Sequence, residues 1–227
     1  MELYNYAFYT SISTAGIATL FGIKLIKTQT INLLVILVAV SFLADVINAI
    51  NAYFYMELKT DLGIRHVGDT YRIIELFILI QFFNAFGFNK WAKKIILVFG
   101  ILVTLYFFVI QTKFYQTSAD SSILRTSSAL LTMAMSIFFF RNLLIKMEIP
   151  DIEKWPPFYF ISSQFIYFCG VVIAFIIYEP MFVLSYSAGR TLWAFHNTWL
   201  IVRNILLIMG FYYTYKTNYK WEKISLI

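Results

Sequence analysis

Trp193, His196, Asn197, Leu200, Arg203 and Asn204 stand at spacings of three, four and seven, which puts them on one face of a helix. That face presents an imidazole, two amides and a guanidinium, while Leu192, Ile201, Ile205 and Leu206 fall on the other side. In other apolar runs the sequence sets Asn48 one turn after Asp45 and Glu75 one turn after Arg72. Arg125 leads a stripe of Ser128, Thr132 and Ser136. Such groups suit recognition and charge coupling: guanidinium against carboxylate, and hydrogen bonding to a polar ligand. Nucleophilic or metal chemistry has little to work with. There are two histidines and one cysteine. His66 falls in a loop and Cys169 in the apolar run FCGVV, whereas metal hydrolysis needs several convergent ligands. No metal, other cofactor or catalytic residue is assigned, and no G-x-S-x-G, P-loop or dinucleotide fingerprint occurs.

The elements that must position these groups follow from composition. The chain has 227 residues, of which 60% are hydrophobic and 13% charged, with a mean hydropathy of +0.74. Soluble domains carry about 25% charged residues to cover their surface. A soluble enzyme, a nucleic-acid-binding domain and a disordered chain are all excluded. A membrane-spanning helix needs roughly 20 mostly apolar residues. Runs of that length predict helices near 4–23, 31–55, 70–88, 92–111, 122–144, 157–178 and 190–214. The expected fold is all-α: a single transmembrane domain over 1–227, a bundle of about seven spanning helices with the lipid bilayer as its environment.

Loop charge orients that bundle. The loops after the first, third and fifth helices, with the C-terminal tail, hold Lys24, Lys27, Lys90, Lys93, Lys94, Arg141, Lys146, Lys154, Lys216, Lys220 and Lys223. The opposite side holds only Lys59, Arg65, Arg72, Lys113, Arg125 and Arg190. Because cytoplasmic loops carry the excess of Lys and Arg, the N-terminus is expected outside and the C-terminus in the cytoplasm. The opening MELYNYAFYT lacks the basic start of a cleaved signal peptide, so the first helix is expected to be retained. Tyr4, Tyr6, Tyr71, Trp91, Trp155, Tyr212 and Trp221 fall near predicted interfaces, where amphipathic rings sit well. Pro150, Pro156, Pro157 and Pro180 all fall in loops or at helix ends, unlike the mid-span breaks common in transporters.

Ionisable groups within spans are costly and serve as default site candidates. Arg203 and Asp45 both lie near mid-depth, and a buried ion pair between them is the expectation, extended outward by Asn48. A second group, Glu75, Arg125, His196 and Asn197, is expected to converge with Asn48 on a polar pocket open to the outside. Arg72 and Glu75 read as a local surface pair. Ser162, Ser163, Gln164 and Tyr167, like Gln81 and Asn84, read as helix-packing polar groups. Ser11, Ala15, Ala18 and Gly22 form a small-residue stripe suited to close helix packing, within the chain or between copies.

The run FHNTWLIVRNILLIMGFYYTYK, polar in its outer half and basic at its exit, resembles the last helix of heptahelical sensor modules in bacterial histidine kinases. It covers that helix only. The resemblance implies a receptor-like sensory module that binds a small molecule or lipid. The tail KTNYKWEKISLI is too short for a kinase, so signalling would pass to a separate protein. A small transporter or channel component with an intramembrane coupling carboxylate is the alternative, followed by a lipid-modifying membrane enzyme. Retinal held through a lysine of the seventh helix is excluded, because that helix has no lysine before Lys216. Richness in Ile, Phe, Asn, Lys and Tyr suits an AT-rich bacterial genome, hence an expected place in a bacterial inner membrane.

Overall fold

The structure is a computed structural model, described over residues 2–26, 29–58, 67–84, 90–113, 119–146 and 151–219. Among the described residues there are seven α-helices, a single 3-10 turn and no strand. The helices are α1 (Glu2–Ile23), α2 (Gln29–Leu58), α3 (Val67–Asn84), α4 (Lys90–Lys113), α5 (Ala119–Lys146), α6 (Pro156–Leu184) and α7 (Tyr186–Lys216), with the turn at Ile152–Lys154. Six of the seven expected apolar runs lie inside an observed helix. The third is helical from 67 to 84, its last expected residues lying outside the described ones. His66, Lys59, Arg65, Lys27, Lys220, Trp221 and Lys223 also lie outside them. The helices overrun the apolar runs because the backbone ladder continues through polar end turns, such as Ser187–Gly189 at the start of α7.

Among the described residues four helices are long and apolar enough to cross a membrane, over Thr30–Ile50, Arg125–Ile145, Pro156–Ile177 and Ser187–Lys216. Leu20, Leu43, Ile95, Leu102, Leu130, Ile137, Ile173 and Ile205 project from the bundle, so its outer surface is apolar in the way a bilayer favours.

Packing gives a closed ring. α7 lies between α1 and α6, α1 against α2, α2 against α3, α3 against α5, and α5 against α6. α4 sits outside the ring, across α3 and α5. Local sequence sets the joints. Pro156 opens α6, a first-turn position where the missing N–H costs nothing. Ser185 alone separates α6 from α7 and caps the latter, its hydroxyl accepting from Ala188 N. α7 ends on Thr217, and Asn218 takes a positive φ of 48° that lets Tyr219 N donate back to Thr214 O. Tyr219 then accepts from Trp155 Nε1 at 3.0 Å, tying the end of α7 to the start of α6.

The small-residue stripe of α1 packs within the chain. Ser11, Ala15, Ala18 and Gly22 are buried. Asn204 of α7 donates to Ser11 O and to Thr14 Oγ1, both at 3.2 Å. α6 and α7 approach as closely at Gly170, where a Cβ would lie 2.3 Å from Trp199 Cδ2. Phe82, Phe83, Phe139, Phe160, Phe168 and Phe211 fill the rest of the core.

Candidate functional site

The polar face of α7 turns into the ring. His196, Asn197, Arg203 and Asn204 are all buried, and Ile205 on the opposite face is exposed. α3 faces α7 across the ring and brings Tyr71, Arg72 and Glu75 from its first turns, with Tyr71 and Glu75 four residues apart on one face. Glu75 is the hub. Tyr71 Oη donates to its Oε1 at 2.7 Å, Arg72 NH1 reaches its Oε2 at 2.5 Å, and Arg203 NH1 its Oε1 at 3.0 Å. The second arm of Arg203 donates to Ser41 Oγ of α2 at 2.8 Å. Its guanidinium carbon also lies 4.9 Å from the centroid of the Tyr167 ring.

Arg72 carries the network to α6 and α7. Its NH2 donates to Tyr167 Oη at 2.8 Å, and Tyr167 Oη lies 2.9 Å from His196 Nε2. Arg72 can only donate, and its NH2 also lies 3.3 Å from Nε2. The network therefore assigns Nε2 as an acceptor and the ring proton to Nδ1, which faces Asn197 Oδ1 at 3.3 Å. Asn197 Nδ2 has no hydrogen-bond partner among the described residues.

The expected Asp45–Arg203 pair is not formed. Arg203 takes Glu75 as its carboxylate, and Asp45 makes no ion pair among the described residues. The reason is placement. Glu75 faces α7 across the ring, where its two oxygens serve two guanidiniums at once. Asp45 instead lines a cavity of about 50 Å³ beside the network.

That cavity is walled by Ser41, Ala44, Asp45 and Asn48 of α2, Tyr71 and Arg72 of α3, Arg125 of α5, and Trp193, His196 and Leu200 of α7. It lies toward the end of α2 and the starts of α3, α5 and α7, so one end of the bundle holds it. Trp193 stacks on His196 with centroids 4.5 Å apart and planes at 18°, and the Arg125 guanidinium carbon sits 5.8 Å from the Trp193 ring centre. Asn48, Arg125 and His196 all line this one cavity. Glu75 stands behind it in the network, and Asn197 stands behind His196.

Three further expectations change. Arg72, read as a surface partner of Glu75, is only 7% exposed and belongs to the buried network. Tyr71 and Tyr167, read as an interface aromatic and a packing residue, are both network members. The signal for Tyr71 was its place one turn before Glu75; nothing local distinguished Tyr167. The α5 stripe below Arg125 does not reach the cavity: Ser128, Thr132 and Ser136 donate to carbonyls of their own helix at 2.9 Å. Such back-bonded hydroxyls are packing features. Among the described residues no group of three His, Cys, Asp or Glu could hold a metal ion. No family model, curated protein or solved structure matched the chain.

Proposed function

We propose that this chain is a receptor-like sensory membrane module. It spans the bilayer seven times with the N-terminus outside and binds a small polar molecule or lipid headgroup in the cavity at its outer end. A separate protein at the cytoplasmic end receives the signal. The observation that carries this reading is the joining of the cavity wall to one buried network. His196 and Arg72 line the cavity and connect through Tyr167 and Glu75 to Arg203 at the middle of α7. A ligand that changes the contacts of His196 or Arg72 therefore changes what holds α7, and it shifts the helix by as much as its affinity differs between the two arrangements. The basic loops at the opposite end support the orientation. A bacterial inner membrane is part of the same proposal, on composition.

Native mass spectrometry of protein extracted gently from its own membrane tests the reading. The expected result is a stoichiometric small adduct on the wild type that is lost in Asn48→Trp, which fills the cavity. Only loosely held bulk lipid on both proteins would overturn it.

One observation favours a second reading, a small transporter or channel component. Asp45 faces the cavity without an ion pair among the described residues, as a coupling carboxylate would. Flux into proteoliposomes that Asp45→Asn abolishes would select it over the receptor.

A further inference from the structure

Asp45, Glu75 and His196 meet at one end of the ring, and two of the three are fully engaged. Glu75 holds Arg72 and Arg203 and accepts from Tyr71. His196 turns Nε2 to Tyr167 and the Arg72 guanidinium, and Nδ1 to Asn197. Asp45 lines the cavity and makes no ion pair among the described residues. Around it stand Tyr71 and Arg72 of α3 with Glu75 behind them, Arg125 of α5, and His196 and Arg203 of α7. Of these charges Arg203 acts on Asp45 most strongly. Arg125 is already engaged with the Trp193 ring and in a further interaction. α1, packed on α2 as well, has no Asp, Glu, His, Lys or Arg from Leu3 to Ile23.

Arg203 links Asp45 to α7. Its NH1 arm is on Glu75, its NH2 arm donates to Ser41 Oγ, and its buried Nε–H has no hydrogen-bond partner among the described residues. Ser41 lies one turn before Asp45, and both border the cavity from one face of α2. Arg203 therefore reaches the stretch of α2 that carries Asp45 and rests on its neutral hydroxyl. An ionised acceptor holds a guanidinium roughly twice as strongly as a neutral one. An ionised Asp45 draws that arm off Ser41, and a protonated one leaves it there. Resting on the outer-end cavity of the sensory reading, we propose that Asp45 exchanges a proton with water in the cavity, and that this proton selects the partner of Arg203. The step moves one proton from hydronium to a carboxylate oxygen, forming one O–H bond and breaking another, with no change of oxidation state. The polar-walled cavity of about 50 Å³ has room for a few waters to deliver it. A metal cation needs a shell of several oxygens, whereas Ser41 and Tyr71 already accept from Arg203. A proton needs one oxygen.

The test is infrared difference spectroscopy of the full chain in phosphatidylcholine nanodiscs, stepped from about pH 4 to about pH 9, the span over which protein carboxyls titrate. A carboxylic-acid C=O band should fade as pH rises in the wild type, and that band should be missing from Asp45→Asn. Should this variant fail to fold, Asp45→Glu should keep the band at a shifted frequency. Ser41→Ala removes the neutral acceptor and leaves Arg203 to the ionised carboxylate. The midpoint of the band should then fall by about one pH unit, a tenfold loss of proton affinity. A band that does not change with pH, that survives unaltered in the Asp45 variants, or that sodium but not choline removes at constant pH overturns the proposal. An unmoved midpoint in Ser41→Ala overturns it too. A stoichiometric adduct in native mass spectrometry without an Asp45 band would leave the sensory reading standing alone. An Asp45 band on a bare protein would keep the proton site and remove the ligand.

Discussion

At the scale of single residues, Glu75 and Asp45 are two carboxylates in one bundle with different duties. Glu75 neutralises two buried guanidiniums, and removing its charge leaves neither with an ion pair among the described residues. Breaking a buried pair from one side typically costs about 3–5 kcal/mol. Glu75→Gln should therefore lower stability by that order in detergent unfolding, while Asp45→Asn should change it by less than about 1 kcal/mol. The double variant Glu75→Leu with Arg203→Met should be less destabilised than Glu75→Gln, because it removes charges together. Equal costs for the two carboxylate variants would contradict the assignment of Glu75 as the hub. The sequence made Arg203 legible as a buried cation in need of a carboxylate, since spacing alone put it on the inward face of α7. It could not choose between Asp45 and Glu75, because that choice depends on which helices face each other across the ring. Tyr167 was hidden for the same reason: a tyrosine among apolar neighbours looks alike whether it packs or bridges.

At the scale of helices, the polar face of α7 and the small-residue stripe of α1 were both readable from periodicity, and they prove to meet each other through Asn204. The α5 stripe shows where periodicity misleads. Its hydroxyls have the right spacing but satisfy themselves on their own backbone, a local option that sequence does not reveal. Gly170 is the reverse case, a lone glycine in an apolar run whose reason is the Trp199 ring of the neighbouring helix. Gly170→Ala should cost about 1–3 kcal/mol through overpacking, read as a lowered thermal midpoint, and Trp199→Leu in the same chain should recover much of it. If the alanine variant is as stable as the wild type, α6 and α7 do not pack this closely.

At the scale of the whole molecule, the described residues form a ring of six helices with α4 on its flank, enclosing a buried polar network within an aromatic core and presenting an apolar outer surface. Composition alone exposed that inverted character, whereas the order of helices around the ring needed the structure. The proposed orientation predicts a labelling pattern. In a Cys169→Ala background, a membrane-impermeant thiol reagent applied to intact cells should modify Ser187→Cys and leave Asp151→Cys untouched; the opposite pattern would invert the topology. α7 also has a mechanical property. It is held near its middle, where Arg203 meets Glu75 and Ser41 from two other helices. His196 lies about 10 Å of helix from that point and Lys216 about 20 Å on the other side. A rigid rod pinned there is a lever with unequal arms. If the proposed ligand were to push His196 and α7 tilted about that point, the far end would move the opposite way through about twice the distance, toward the turn where Tyr219 holds Trp155.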